Sequence, residues 1–323
     1  PLTASSLGVG LVLAAALACV GAHADTPFPN QPIRMVVPFP PGSSSDVTAR
    51  AIAQKISGPL GQPVVVENRP GALGGIGMLA VARSKADGYT LVVGTVSTTV
   101  VPPIISKHVP VDLFKEFTPV ATMANTPLLL MVAYDSPIGS VADLVAAAKK
   151  SPNTLTYGRS AGLYRIAMEA FNHEAGIDLL GIPFMGPAQA ATELLAGRLT
   201  VNPDALGAAG PMLQARRMRA LAVLGSNRTP SLPDVPTMQE LGYKGFAFNG
   251  WLGILAPTGT PQPVIERLHS EIAKAAKSPD IQALYARLGM EATVLPPQAY
   301  GAEMKKDAAK YQVVAQQAGI EKE

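Results

Sequence analysis

The alternation of short apolar strands with helices is the feature that most constrains how this chain can fold. Ile33 to Val37 precedes a helix that ends near Ile56, and Val64 to Glu67 precedes one that ends near Ser84. A third strand, Thr90 to Val93, leads into a polar loop. This alternation predicts an α/β fold with a mostly parallel sheet, in which the loops after the strands open on one edge and ligands bind there.

A second series of the same kind follows the strand predicted at Leu128 to Ala133. Its strands are expected at Leu155 to Tyr157, Leu180 to Phe184, Leu199 to Asn202 and Ala220 to Leu224. The stretch Trp251 to Ala256 then resembles a strand of the first series, so the chain returns to its first unit. We therefore predict two lobes, each a mostly parallel sheet flanked by helices: lobe I from residues 25–126 and 247–323, and lobe II from residues 127–246. We expect a hinge and a ligand cleft between them.

The loop after the first strand, FPPGSSSD, predicts an anion site. The first N–H groups of a helix have no partner within the helix, and they attract anions. Pro40 and Pro41 have no N–H to donate, so the donors are expected from Gly42 to Ser45. The alternative is an ordinary turn in which the serines and Asp46 only cap the helix. The sequence leaves both interpretations open.

The run from Gly158 to Gly162 has the pattern G-x-S-x-G between a strand and a helix. That pattern is typical of serine hydrolases, with Ser160 as the nucleophile. A triad would need Asp204 or Asp234 together with His269, but His269 lies within the predicted helix VIERLHSEIAKAAK and not on a loop. We therefore expect no catalytic residue, and we interpret this turn as a second helix-start anion site that faces the first.

Three further observations limit the chemistry. The glycine-rich turn from Gly71 to Gly77 does not match G-x-G-x-x-G, so no dinucleotide cofactor is expected and Gly75 is expected to line the cleft. No histidine has a partner at metal-ligand spacing, so we expect no metal. Asp204 follows Pro203, which is expected to end the strand before it. Asp204 either faces the cleft or caps the next helix, and both alternatives stay open.

The first 24 residues are predicted to be a secretory signal peptide. Leu7 to Val20 is apolar and Ala22-His23-Ala24 is typical of a cleavage site, so the mature chain is expected to begin at Asp25 in an exported protein. The single cysteine, Cys19, lies in this segment, where Ala16 stands in place of the leucine of a lipoprotein signal. Cleavage leaves no thiol, which excludes disulfides, thiolate catalysis and cysteine-bound metals.

Charge and hydropathy exclude two classes of partner for the mature chain. The formal net charge of +3 favours small anions only mildly. The basic cluster Arg216-Arg217-Met218-Arg219 has no interleaved aromatic residue, so we expect no nucleic-acid partner. The longest apolar run after the leader, Leu128 to Ala133, is far shorter than the roughly 20 residues that a bilayer needs.

Six segments occur along the chain in the order and spacing of one known family. They are PIRMVVPFPPGSSSDVTAR, VVVENRPGALGGIG, ADGYTL, VDLFKEFTPVA, LPDVPTMQELGY and WLGILAPTGTPQPVIERL. The chain thereby resembles the extracytoplasmic solute receptors of tripartite tricarboxylate transporters, the Bug family. The resemblance implies a type II-like periplasmic binding protein that is a monomer, needs no cofactor and is not an enzyme. It would enclose a small mono-, di- or tricarboxylate, an aromatic acid or amino acid included, and deliver it to a membrane permease; a receptor for a membrane sensor is the alternative.

In that family, backbone N–H groups of two loops hold the carboxylate of the ligand. This chain matches the first loop except for Ser43, which replaces a glycine, and its second-lobe loop YGRSAGLYRI departs from the family pattern YGSSGxGSxxH. Arg159 is new there, and we hypothesise that it makes a bidentate contact with a second acidic group. The predicted ligand-binding residues are Phe39, Pro41, Gly42, Ser43, Ser44, Asp46, Gly75, Thr95, Ser97, Arg159, Ser160, Ala161, Gly162, Gly186 and Asp204.

Overall fold

A computed structural model describes residues 28–109 and 111–323, and the predicted signal peptide, residues 1–24, lies outside them. The strands are β1 (Ile33–Val37), β2 (Val64–Asn68), β3 (Thr90–Thr95), β4 (Phe117–Thr126), β5 (Leu128–Ala133), β6 (Thr156–Arg159), β7 (Leu180–Pro183), β8 (Asn202–Ala205), β9 (Met218–Val223), β10 (Gly250–Pro257) and β11 (Glu291–Ala292). The helices are α1 (Ser44–Leu60), α2 (Gly75–Ala82), α3 (Pro102–Ile105), α4 (Leu113–Glu116), α5 (Val141–Lys150), α6 (Gly162–Ala175), α7 (Pro187–Leu195), α8 (Leu206–Gln214), α9 (Gln262–Ala276), α10 (Pro279–Arg287) and α11 (Pro297–Gln317). Of the helices described, none has the length and hydropathy to cross a membrane.

The six-stranded sheet of lobe I has the order β11-β4-β10-β3-β1-β2. β1 pairs in parallel with β2 and β3, as the sequence predicts. β10 is antiparallel to both β3 and β4, because it enters at Gly250, opposite Thr126 at the end of β4, and has to run back from there. Strands β1 to β4 therefore point one way, and their ends lie on the edge that faces lobe II.

Lobe II contains the three-stranded sheet β8-β5-β9 and the parallel pair β6-β7. An isolated parallel bridge between Tyr157 and Val201 joins β6 to the chain just before β8. β5 is antiparallel to both of its neighbours, and it is the strand that arrives from lobe I. Each lobe thus contains one strand that opposes its neighbours because it comes directly from the crossing between lobes.

One strand of lobe II lies later in the chain than the sequence predicts. The expected strand at Leu199 to Asn202 is observed at Asn202–Ala205. The expectation that Pro203 ends the strand is wrong, since Pro203 pairs with Leu130 inside β8. Proline is tolerated in a strand at the edge of a sheet, where its missing N–H removes no ladder bond, and β8 is such an edge strand.

Two segments join the lobes and hydrogen-bond to each other. β4 runs into β5 through Pro127, whose carbonyl accepts from the Leu206 N–H at 2.9 Å. On the return, Leu224 donates to the Leu128 carbonyl at 2.8 Å and accepts from the Phe248 N–H at 2.7 Å. The lobe boundaries predicted from the sequence stay a proposal, which the position of this crossing supports.

The 21-residue helix α11 packs against both lobes. Near its start Tyr300 meets Trp251 of β10 edge to face, with ring centroids 5.1 Å apart. Near its end Tyr311 stacks on Phe248 at 5.6 Å. The same buried cluster contains Phe171 of α6. The lobes therefore share apolar core along α11, on the side where the chain crosses between them.

Asp307 on α11 gives the stability of the protein a measurable pH dependence. Its carboxyl accepts from Trp251 Nε1 at 2.9 Å, and burial raises its pKa from 3.8 to about 6. The folded state holds this proton to a higher pH than the unfolded state, so the stabilisation present below pH 4 is lost as the pH rises through 6. We expect Asp307→Asn to gain up to about 3 kcal/mol over the wild type between pH 4 and pH 7. Urea unfolding of both proteins at pH 4 and at pH 7 measures the difference in unfolding free energy between the variant and the wild type. The same difference at the two pH values would contradict the prediction.

Candidate ligand-binding site

The loop after β1 is organised by the carboxylate of Asp46, which is 3% exposed. Gly42, with a left-handed φ of 79°, donates its N–H to Asp46 Oδ2 at 2.9 Å, and Asn68 Nδ2 donates to Oδ1 at 2.8 Å. Burial raises the pKa of Asp46, yet the hydrogen bonds from Arg50, Gly42 and Asn68 outweigh it and hold that pKa below its ordinary value. The Gly42 N–H is therefore engaged within the loop, and its expected role as a donor to the ligand stays a prediction that requires this bond to break. The Asp46 carboxylate is likewise engaged, because its oxygens accept hydrogen bonds from Gly42 and Asn68.

The free donors of this loop are two residues further on. Ser43 caps α1 by accepting from the Asp46 N–H at 3.3 Å, and its own N–H donates to the Pro40 carbonyl. Within the part of the chain that the structure describes, the N–H groups of Ser44 and Ser45 have no partner. They stand at the positive end of a 17-residue helix. The donors predicted from Gly42 to Ser45 thus reduce to these two.

The surroundings of this loop are apolar and accessible. Phe39 is half-buried, and its carbonyl accepts from Asn68 Nδ2 at 3.1 Å. Pro41 is exposed. The ring of Phe39 packs against the buried core of lobe I, so Pro41 is the exposed apolar residue of this loop.

The other two loops of lobe I converge on the first. A Cβ on Gly74, where φ is 89°, would lie 2.6 Å from Thr98 Cγ2 and 3.4 Å from Pro38 Cβ, so only glycine allows this approach. Gly75 begins α2, donates its N–H to the Ala72 carbonyl, and lines a cavity of about 50 Å³ with Thr98. The Thr95 N–H donates to Thr98 Oγ1 at 3.0 Å, which closes the third loop on itself.

In lobe II, α6 begins without a side-chain cap. Ala161 is its N-cap residue and makes no capping bond, and the Oγ of Ser160, which is 8% exposed, has no partner among the residues described. Nearby, Tyr164 donates its hydroxyl to Asp204 Oδ1 at 3.3 Å. Burial raises the pKa of Asp204 to about 6, against the opposing hydrogen bonds from Ala205 and Tyr164. An unpartnered hydroxyl and a buried carboxyl with a raised pKa therefore lie close to this helix start.

The start of α6 lies against the third loop of lobe I. The Leu163 N–H donates to Ser97 Oγ at 3.4 Å. A Cβ on Gly162 would lie 2.7 Å from Val101 Cγ1, so the backbones of the two lobes approach closely there. These contacts bring Ser97 and Gly162 together. Gly186 is the N-cap residue of α7, next to Met185, which is 99% exposed.

The guanidinium of Arg159 is occupied by another part of the chain. Its Nη1 donates to Glu323 Oε1 at 2.8 Å, and Arg165 Nη2 lies 3.2 Å from the same oxygen. The hypothesis that Arg159 binds a second acidic group of the ligand stays a prediction, and such a group would have to share or displace the carboxylate of Glu323, 164 residues away.

The family model described as "Tripartite tricarboxylate transporter family receptor" matches residues 48–320. The chain belongs to this receptor family. Protein BugT of Bordetella pertussis is 34% identical over 292 residues, which cover 90% of this chain and 89% of BugT.

Two solved structures carry the same fold as this receptor. The structure described as "R. palustris Rpa4515 with adipate" has a TM-score of 0.86 and is 33% identical, covering 92% of this chain and 100% of its own. MatC (Rpa3494) from Rhodopseudomonas palustris, with bound malate, has a TM-score of 0.80 and is 27% identical, covering 89% of this chain and 99% of its own. The predicted family and the two-lobed α/β fold of a periplasmic binding protein are confirmed.

The receptor family consists of solute-binding proteins and not of enzymes. The hydrolase alternative would need a base beside Ser160. His269 lies on α9 in lobe I and hydrogen-bonds to the Val120 backbone. Asp204 contacts Tyr164, not a histidine. In the described chain, Ser160 therefore has no general base at hydrogen-bond distance.

Sequence analysis of this receptor missed three polar residues beside the loops. Asn68 holds the first loop through Phe39 and Asp46, and Asn202, fully buried, has no hydrogen-bond partner among the described residues. Asn68 ends the apolar strand β2, which is a signal that could have found it, whereas Asn202 begins β8 and carries no such signal. Tyr164 carries no such signal, because its partner Asp204 lies 40 residues away.

Proposed function

We propose that this chain is an exported solute receptor that encloses a small organic acid between its lobes and delivers it to a tripartite tricarboxylate-type permease. The observation that carries the proposal is the pair of helix starts, one in each lobe, that keep polar groups without a partner among the described residues. Ser44 and Ser45 offer free N–H groups in lobe I, and Ser160 offers a free hydroxyl at the start of α6. The adipate and malate in two related structures support an acid as the ligand.

These groups are sufficient for useful affinity without an arginine. A micromolar receptor needs about 8 kcal/mol of binding free energy. A hydrogen bond to a charged group contributes about 1.5 to 3 kcal/mol, and a helix start adds about 0.3 to 1 kcal/mol for a charge. Three such donors contribute about 4.5 to 9 kcal/mol, and with the two helix starts and burial of the ligand body they reach the required value. The engagement of Arg159 by Glu323 is therefore compatible with binding of a carboxylate.

The proposal is tested on protein purified without its signal peptide. Acetate, benzoate, malate, adipate and citrate are added in separate thermal-unfolding experiments, and acid released on denaturation is identified by mass spectrometry. At a hundredfold excess over its dissociation constant, a ligand stabilises the folded state by about 2.7 kcal/mol. We expect at least one acid to raise the melting temperature. No response from any acid, with no acid released, would contradict the proposal.

Delivery to a permease needs a separate measurement, because a receptor for a membrane sensor would bind the acid in the same way. We expect cells without the receptor gene to lose uptake of the acid identified above. Uptake that continues at the wild-type rate while a transcriptional response to the acid is lost would contradict delivery and support the sensor.

A further inference from the structure

The segment after α11, residues 318–323, reaches a place where the two lobes meet. The Glu323 N–H donates to the Ile105 carbonyl at 2.9 Å, and the Lys107 N–H donates to the Glu323 carbonyl at 2.8 Å. These main-chain bonds attach the segment to the turn after α3 in lobe I. Ile105 itself lies against the start of α6, since a Cβ on Gly162 would come within 3.2 Å of Ile105 Cδ1.

The side chain of Glu323 turns to lobe II. Its Oε1 accepts from Arg159 Nη1 at 2.8 Å and lies 3.2 Å from Arg165 Nη2. Arg165 also donates to the main-chain oxygen of Glu321 at 3.1 Å. The hydrogen bond from Arg159, with the charge of Arg165, holds the pKa of the Glu323 carboxyl below its ordinary value. One carboxylate therefore joins two cations of lobe II to the main chain of lobe I.

The two arginines stand on either side of the helix start in lobe II. Arg159 directly precedes Ser160, and Arg165 lies in the first turn of α6. Their side chains are only 23% and 12% exposed, so neighbouring groups hold them in place. Because Glu323 binds both, it fixes the short loop between them at two points.

We propose that Glu323 is a positioning residue, which with Arg159 and Arg165 forms a clasp that holds the start of α6 against lobe I. The clasp keeps the free hydroxyl of Ser160 at the interface between the lobes. The biological role of the clasp rests on the proposed function, but the contacts that form it are present without a ligand. An exposed ion pair adds little to global stability, so the effect of the clasp is expected to be local.

Hydrogen–deuterium exchange without ligand tests the clasp. Glu323→Ala is compared with Glu321→Ala, a matched control, because Glu321 meets Arg165 only through its main-chain oxygen. For Glu323→Ala we expect exchange in residues 159–166 to become about 2- to 10-fold faster, as for the loss of hydrogen bonds that oppose local opening. Glu321→Ala should exchange like the wild type, and both variants should keep the wild-type melting temperature.

A double-mutant cycle completes the test. If Glu323 acts through Arg159, exchange in Glu323→Ala/Arg159→Ala should be no faster than in the faster of the two single variants. Fully additive effects would overturn the clasp, as would wild-type exchange in Glu323→Ala. A lowered melting temperature with unchanged local exchange would overturn it too, in favour of a merely structural role. None of these results depends on whether an acid binds, so failure of the clasp and failure of the proposed function are distinguishable.

Discussion

Replacement of Ser44 by proline is expected to weaken acid binding by about 10- to 100-fold while the fold is retained. Proline removes the N–H of Ser44, one of the two free donors at the start of α1. The first helical position tolerates proline well, and Ser43 has the extended backbone, with φ −64° and ψ 156°, that a residue before proline prefers. Isothermal titration with the acid found in the ligand screen measures the loss.

The matched control for this variant is Ser44→Ala, which removes the hydroxyl and keeps the N–H. We expect its affinity to stay close to that of the wild type. Equal affinity of the proline and alanine variants would show that the Ser44 N–H does not hold the ligand. Circular dichroism of both variants would confirm that α1 is intact.

Replacement of Gly207 by alanine is expected to destabilise the protein by about 1 to 3 kcal/mol or more. A Cβ at this position would lie 1.8 Å from the carbonyl oxygen of Leu288. The clashing atom belongs to the main chain, so no side-chain rotation relieves the contact. Gly207 is on α8 of lobe II, and Leu288 follows α10 on the other side of the crossing. In the alanine variant, the strain is therefore expected where α8 of lobe II contacts Leu288.

Gly210→Ala is the matched control, because it lies on the same helix and a Cβ there meets nothing within 4 Å. Alanine favours a helix over glycine by about 0.5 to 1 kcal/mol, so this variant should be at least as stable as the wild type. Urea unfolding of the two variants gives the comparison. Equal stability would mean that the backbone of α8 shifts freely away from Leu288.

Local patterns predicted the fold well and the partners of individual side chains poorly. The strand–helix alternation predicted the parallel core of β1 to β3 and the return of the chain at Trp251, because both depend on short segments. The antiparallel direction of β10 depends on where the chain re-enters the sheet. Pro203 inside β8 depends on that strand being at an edge. Neither property is encoded within a single segment.

For the candidate site too, local patterns predicted the kind of loop but not the partners of its individual groups. The serines and glycine of the loop after β1 predicted a helix start there, and the structure has α1 begin at Ser44. The sequence could not show that the Gly42 N–H is engaged, because this depends on the position of the Asp46 carboxylate, whereas Ser44 and Ser45 stay unpaired as the first two residues of α1. The partner of Arg159 is Glu323, 164 residues away, and no spacing rule connects positions so far apart.

The central position of β10 has a consequence for the order of assembly. β10 lies between β3 and β4, yet the whole of lobe II separates it from them along the chain. Until Pro257 has emerged, β3 and β4 each have an open strand edge, and such edges invite pairing with other chains. The sheet of lobe I, most of whose strands are synthesised first, is therefore completed only after lobe II and β10 have been synthesised. Until then its open strand edges make aggregation a hazard.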